Sequence, residues 1–190
     1  MVEVNTSNTI IDDVWLWRAD HQIDGQVVKD SRNPVDTGLQ VNGDNVTGYG
    51  LACEHTLGNL LEWNGENGKS YFYQSEFPYD VNQQNYGDKG FAAYKVGDNV
   101  TKHEAYGVGA YSYFRDYVVA QPDGIIAPEA PGVTFTNSLT VFLNGNGQIN
   151  HVIDNDGDTA IQGHNVQYYC DFVGNSIPMA PPVAAESFLQ

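Results

Sequence analysis

Cations are scarce in this chain. Its 190 residues include 8 Lys and Arg against 24 Asp and Glu, a formal charge of −16. The shortage is uneven, because the last basic residue is Arg115 and residues 116–190 carry eight acids. Phosphate binding needs a positive surface, so nucleic acid is excluded as a partner. An anionic membrane face is excluded on the same ground. No apolar run approaches the roughly 18 residues of a membrane span. Strong helix formers are also thin, with Lys, Leu and only two Met giving way to 20 Gly and 12 Tyr. Such a composition suits short strands joined by tight turns. The two cysteines, Cys53 and Cys170, make no disulfide framework. Whether they pair depends on a Cα separation below about 7 Å, which the sequence leaves open. There is no Cys/His zinc pattern, Gly-rich phosphate loop, nucleophile elbow or HExxH, so no metal or cofactor is expected. No signal-peptide pattern opens the chain.

What the sequence does contain is a ragged repeat. Asn8-Thr9-Ile10-Ile11-Asp12-Asp13-Val14, Asp44-Asn45-Val46-Thr47-Gly48-Tyr49-Gly50 and Asp98-Asn99-Val100-Thr101 open similar units, and Pro131-Gly132-Val133-Thr134-Phe135 opens a degenerate one. Gly68 follows Asn45 by 23 residues, Asn99 follows Gly68 by 31, and Gly132 follows Asn99 by 33. A coil of about 22–25 residues with loops inserted in some turns explains this spacing. One unit cannot bury its own apolar face, whereas stacked units can. The expected fold is therefore all-β, an incomplete parallel β-helix over residues 1–172 with insertions between coils. Residues 173–190 are expected to form an extended, partly disordered tail. Asn at matching corners should stack as a ladder of bonded side-chain amides. A β-sandwich is the rival, but the long inserts at 18–38 and 77–91 do not fit its turn spacing.

Chemistry-bearing residues concentrate between Tyr49 and Tyr79. Glu54 and Glu76 are 22 residues apart, close to one coil, which places them on adjacent strands about 5 Å apart. Carboxylates held together repel, so one pKa should rise, as a general acid requires. Trp15, Trp17, Trp63, Tyr71, Phe72, Tyr73 and Tyr79 surround them in sequence. Aromatic planes stack on sugar faces, while carboxylates and amides bind hydroxyls, so this set points to carbohydrate. Trp15 and Trp17 share one parity and should face the same side, with Val14 and Leu16 opposite. Asp20 and His21, at the end of that strand, either orient a partner acid or cap a turn. Asp154-Asn155-Asp156-Gly157-Asp158 fails the EF-hand spacing and reads as a turn. Sequons at Asn5, Asn45 and Asn99 matter only in a eukaryotic secreted setting.

Four ordered segments resemble glycoside hydrolase family 55, the exo-β-1,3-glucanases. They are Val14-Trp15-Leu16-Trp17-Arg18-Ala19-Asp20-His21, Tyr49-Gly50-Leu51-Ala52-Cys53-Glu54-His55, Gln74-Ser75-Glu76-Phe77-Pro78-Tyr79 and Gly107-Val108-Gly109-Ala110-Tyr111-Ser112-Tyr113-Phe114. The resemblance implies a right-handed, pectin-lyase-like β-helix matching the later part of the second of two such helices in a longer chain. It also implies an extracellular protein that acts on or binds β-glucan, with inversion. Glu76 falls on the family's general acid and Glu54 on a second glutamate beside the cleft. Asp20, His21, His55, Trp63, Gln74 and Tyr79 become candidate substrate-binding residues. Groups that position the attacking water are expected from a missing N-terminal β-helix, so that segment or self-association is the expected partner. The alternative is a non-catalytic polysaccharide-binding or structural cell-surface module.

Overall fold

A computed structural model describes residues 1–21, 29 and 31–174. Among them there is no α-helix, only a 3-10 turn at Gly87–Lys89, so no helix is long and apolar enough to cross a membrane. The strands are β1 (Val2–Val4), β2 (Ile10–Asp12), β3 (Trp15–Trp17), β4 (Leu39–Val41), β5 (Thr47–Glu54) and β6 (Leu61–Trp63). They continue as β7 (Gly68–Glu76), β8 (Tyr94–Val96), β9 (Lys102–Ile126), β10 (Gly132–Ile153) and β11 (Val166–Val173). Every pairing among β1–β10 is parallel, which rules out the sandwich and makes the chain a coiled stack.

The stack has three strand ladders per coil. The first is β1–β4–β6–β8 and then Ile125–Ile126 of β9, with Leu39, Leu61, Tyr94 and Ile125 in register and buried. The second runs through Asp12, Tyr49, Tyr71, Tyr106 and Thr136. The third runs through Trp17, Glu54, Glu76, Tyr111 and Val141. A column of left-handed residues separates the second ladder from the third: Asp13, Gly50, Phe72, Gly107 and Asn137, with φ between 50° and 68°. Two consecutive outward side chains there, such as Tyr71 and Phe72, reset the alternation, so both halves of each long strand bury alternate residues: Gly68 and Ser70 before the reset in β7, Tyr73 and Ser75 after it. Gly50 and Gly107 take that conformation without a Cβ penalty.

The Asn ladders form as expected. Asn67 donates to Asn45 at 2.8 Å and Asn45 to Asn8 at 3.3 Å, while Asn64 donates to Asn42 at 3.0 Å and Asn42 to Asn5 at 2.7 Å. The partners are 22 residues apart in the shortest coil and 37 where the 18–38 insert intervenes. Asn8, Asn45 and Asn67 also adopt positive φ, which Asn tolerates because its amide bonds locally.

The interior is filled by alternate residues of every ladder, among them Val41, Trp63 and Val96 in one row and Leu51, Tyr73 and Val108 in another. Burying one such aliphatic side chain contributes about 1.5–3 kcal/mol. Trp63 corrects an expectation, because it is fully buried and packs on Tyr94 and His103. Inward parity makes it a core residue with no access to a ligand. Trp15 and Trp17 face outward together as expected, with ring centroids 6.4 Å apart.

At one end β11 lies antiparallel on β10 and closes the stack. At the other, β1, β2 and β3 pair on one side only among the described residues. Val173 ends β11; residues 175–190 of the expected tail, and 22–28 and 30 of the first insert, lie outside the described residues. Cys53 is buried and Cys170 exposed, and both are free thiols. Asp154 to Asp158 form a turn, with Asp154 accepting from the Ala127 N–H at 3.1 Å. Burial pushes the Asp154 carboxyl up to about 6 against that hydrogen bond.

Candidate functional site

The long inserts leave the coil at one corner, where the third ladder ends, and the site is built there. Glu54 and Glu76 occupy adjacent rungs in register. The 22-residue coil between them carries no insert, so the pair is set by sequence spacing alone. His55 follows at φ 63°, a left-handed backbone that turns the chain out of the strand and lays the ring across Glu76. A non-glycine residue held in that region is a strained conformation kept by its surroundings.

Those surroundings are a hydrogen bond and an ion-pair contact. His55 Nδ1 lies 2.8 Å from Asp20 Oδ1, and Nε2 lies 3.3 Å from Glu76 Oε2. The Trp17 indole N–H also points at Nδ1 from 3.1 Å. That nitrogen cannot donate to Asp20 and accept from Trp17 together. The shorter contact to a fully buried carboxylate places the proton on Nδ1. Burial disfavours a charged ring, but the two flanking carboxylates prevail and push His55 up to about 9. Burial likewise opposes ionisation of Asp20, yet the bonds from His55 and His21, with Arg18 nearby, hold it below the ordinary aspartate value.

Arg18 anchors the arrangement from below. It is fully buried, donates through Nε to the His55 carbonyl and through Nη2 to Asp80, and sits 3.6 Å from Asp20. Its Nη1 reaches the Arg32 carbonyl at 2.6 Å, and Asp80 also accepts from the Ser31 N–H at 2.9 Å. One guanidinium thus ties the inserts after β3 and β7 to the turn after β5.

Above the pair lies an aromatic wall. Tyr79 donates its hydroxyl to Glu76 Oε1 at 2.6 Å, and its ring stacks on His21 at 5.3 Å and meets Tyr113 edge-on at 4.8 Å. Burial, then the Glu76 bond, drives the Tyr79 hydroxyl far above its ordinary pKa, so it stays a donor. The Glu76 side chain remains 14% exposed, which leaves it an opening to a ligand. Gln74 points outward two residues before it, on the rung of Ala52 and Gly109.

The structure therefore brings together Glu54, Glu76, Asp20, His21, His55 and Tyr79, sets Gln74 beside them and leaves Trp63 in the core. Arg18, Asp80 and Tyr113 carry parts of the site that sequence reasoning did not assign. Arg18 and Tyr113 lie inside the family-like segments, while Asp80 gives no signal beyond following Tyr79. Ligand atoms of Glu54, His55 and Glu76, one from each, lie within 4.8 Å of one another. Carboxyl groups flanking a sugar for direct inversion stand about 6.5–9.5 Å apart. A base acting on the opposite sugar face must stand farther from Glu76 than Glu54 does, or act through an intervening group.

A stack of coils joined by parallel strand ladders defines the class: a right-handed, pectate-lyase-like β-helix. The family model for the LAM55 pectate lyase-like domain matches residues 1–76. The chain is glycoside hydrolase family 55-like. It is 48% identical to an exo-β-1,3-glucanase of Streptomyces sp. (strain SirexAA-E / ActE) over 83% of this chain and 26% of that relative. Two solved structures of sacteLam55A from Streptomyces sp. SirexAA-E superpose over 90% of the chain. One has TM-score 0.81 at 44% identity, covering 32% of its own length; the other, a glutamate-to-alanine variant in complex with glucose, has TM-score 0.82 at 42%, covering 31%. The chain thus spans about a third or less of the length of the relatives it matches.

Proposed function

We propose that this chain carries the proton-donating side of an extracellular, inverting exo-β-1,3-glucanase site. Glu76 gives its proton to the departing glycosidic oxygen. The single observation that carries the reading is the partly open Glu76 carboxyl, gripped by Tyr79 and faced by the Asp20–His55 pair. Tyr79 holds Oε1, so Oε2 faces the substrate and the imidazole. Glu54 places a second acceptor one rung away for a sugar hydroxyl, and Gln74 offers an amide on the same strand. Tyr79 and His21 supply ring surface for the sugar. The likeness to an exo-β-1,3-glucanase supports β-1,3-glucan as the polymer.

A second reading is supported by the spacing of Glu54 and Glu76. The pair is too close to flank a sugar for direct inversion, so the chain alone binds glucan without turnover unless a water-activating group joins it. The one-sided edge of β1–β3, where Ile10 is 70% exposed, is a seat for a further coil. We assign that seat to a preceding β-helix segment, with a second copy as the alternative.

Reducing-sugar release from laminarin by the 190-residue chain and by Glu76→Gln tests the first reading. Activity that falls by about 10²–10⁴ in the variant, with the fold kept by circular dichroism, supports Glu76 as the acid. Laminarin binding without release from either protein supports the second reading and rejects the autonomous enzyme.

A further inference from the structure

His55 has one nitrogen left over. Nδ1 is committed to Asp20, whereas Nε2 is buried and meets no partner with hydrogen-bond geometry among the described residues. The 3.3 Å approach to Glu76 Oε2 is an electrostatic contact only. A carboxylate oxygen of Glu54 closes a triangle whose corners all lie within 4.8 Å. A buried imidazole nitrogen aimed at two carboxylates, with its other nitrogen held by a third carboxylate, is how proteins orient a metal-binding histidine. The dimensions fit a small tetrahedral cation. Ligands about 2.0–2.1 Å from zinc are separated by about 3.3 Å along a tetrahedral edge. His55 Nε2 and Glu76 Oε2 already stand 3.3 Å apart. Rotation of the Glu54 side chain brings in the third ligand. Tyr79 occupies the other Glu76 oxygen and so leaves Oε2 free.

We propose that Glu54, His55 and Glu76 bind a divalent transition cation of the Zn²⁺ type, with the fourth position open to the cleft. Imidazole with two carboxylates favours Zn²⁺ over Mg²⁺, which demands octahedral oxygen ligation. The metal replaces the Nε2 proton, which leaves to solvent. The neighbouring trio Asp20, His21 and His55 is closed to an ion, because Asp20 Oδ1 is in contact with both ring Nδ1 atoms at 2.7 and 2.8 Å. A bound cation takes Glu76 Oε2 out of proton transfer, so it acts as a reversible inhibitor. That consequence rests on the glucanase reading; the binding does not.

Calorimetric titration of ZnCl₂ into the full chain, with MgCl₂ alongside, tests the binding without any turnover assay. One Zn²⁺ per chain is expected, with no Mg²⁺ binding. Glu54→Gln and Glu76→Gln should each weaken it at least tenfold while circular dichroism stays unchanged. Asp20→Asn should weaken it about 10–100-fold through the second shell. Absence of saturable Zn²⁺ binding overturns the proposal. So does binding of unchanged affinity in Glu54→Gln and Glu76→Gln, which would assign the ion to surface acids. A chain that binds Zn²⁺ as expected but releases no sugar when assayed free of metal fails the glucanase reading alone.

Discussion

Two histidines are equally buried in this molecule and end in opposite states. His103 lies inside the coil stack among Trp63, Tyr94 and Phe135, with Nε2 2.8 Å from the Tyr94 hydroxyl. Burial pushes it down to about 3, so the ring is neutral. His55 lies at the outer corner between Asp20 and Glu76 and is pushed up to about 9 despite a similar desolvation penalty. Burial sets the cost of charge, and the partners decide whether it is met. The interior presents hydroxyls and rings, which hold shape. The corner presents carboxylates and a guanidinium, which hold charge at the outer edge of the stack.

The comparison breaks most visibly at Arg18. Arg18→Ala leaves Asp80 buried without its bonded cation and leaves Asp20 with the histidines alone. Urea unfolding should show a loss of about 3–5 kcal/mol. A loss below about 1 kcal/mol, the level of an exposed ion pair, would mean that packing and not charge holds the corner.

The two rings should also divide the pH dependence of stability. His55 is raised in the folded state, so its contribution is full below about pH 6.5 and is lost as pH rises through about 9. At about 1.4 kcal/mol per pKa unit, that limb is on the order of 3 kcal/mol. Asp20→Asn should flatten it. His103 is depressed, so its neutral ring favours folding above pH 6.5, and that contribution falls away as pH drops toward about 3. Denaturant midpoints measured from pH 4 to 9.5 check both signs. A stability curve unaltered by Asp20→Asn on the alkaline side would refute the charged His55.

Smaller effects sharpen the interior half. His103→Phe strands the Tyr94 hydroxyl and should cost about 1–3 kcal/mol while removing part of the acid limb. Asn64→Ala removes one ladder bond at a corner remote from the site. It should cost about 0.5–1.5 kcal/mol and leave the alkaline limb untouched. A change in that limb would show that the ladder and the site are coupled.

Legibility in the sequence followed how local each feature is. The Asn corners and the Glu54–Glu76 pair were readable because one uninserted coil is a fixed number of residues, and register follows from counting. The fold followed from the same repeat. Trp15 and Trp17 were read correctly as a pair because parity within one strand is local. Trp63 departs from the expectation because its sequence position close to Glu54 and Glu76 does not say which face of its strand is inward. Its neighbours Leu61 and Val41 settle that only once the coils are stacked. Asp20 and His21 stood open between capping and orienting, and the contact with His55 makes Asp20 an orienting group.

The sequence by itself determined the coil length, the asparagine corners and the placement of two glutamates on neighbouring rungs, since all three depend on spacing along a hydrogen-bonded stack. Only the tertiary structure decided that Trp63 is core, that Arg18 bonds Asp80 from 62 residues away, and which histidine carries charge. Those outcomes depend on the electric field and packing at a point in space, which residues distant along the chain create together.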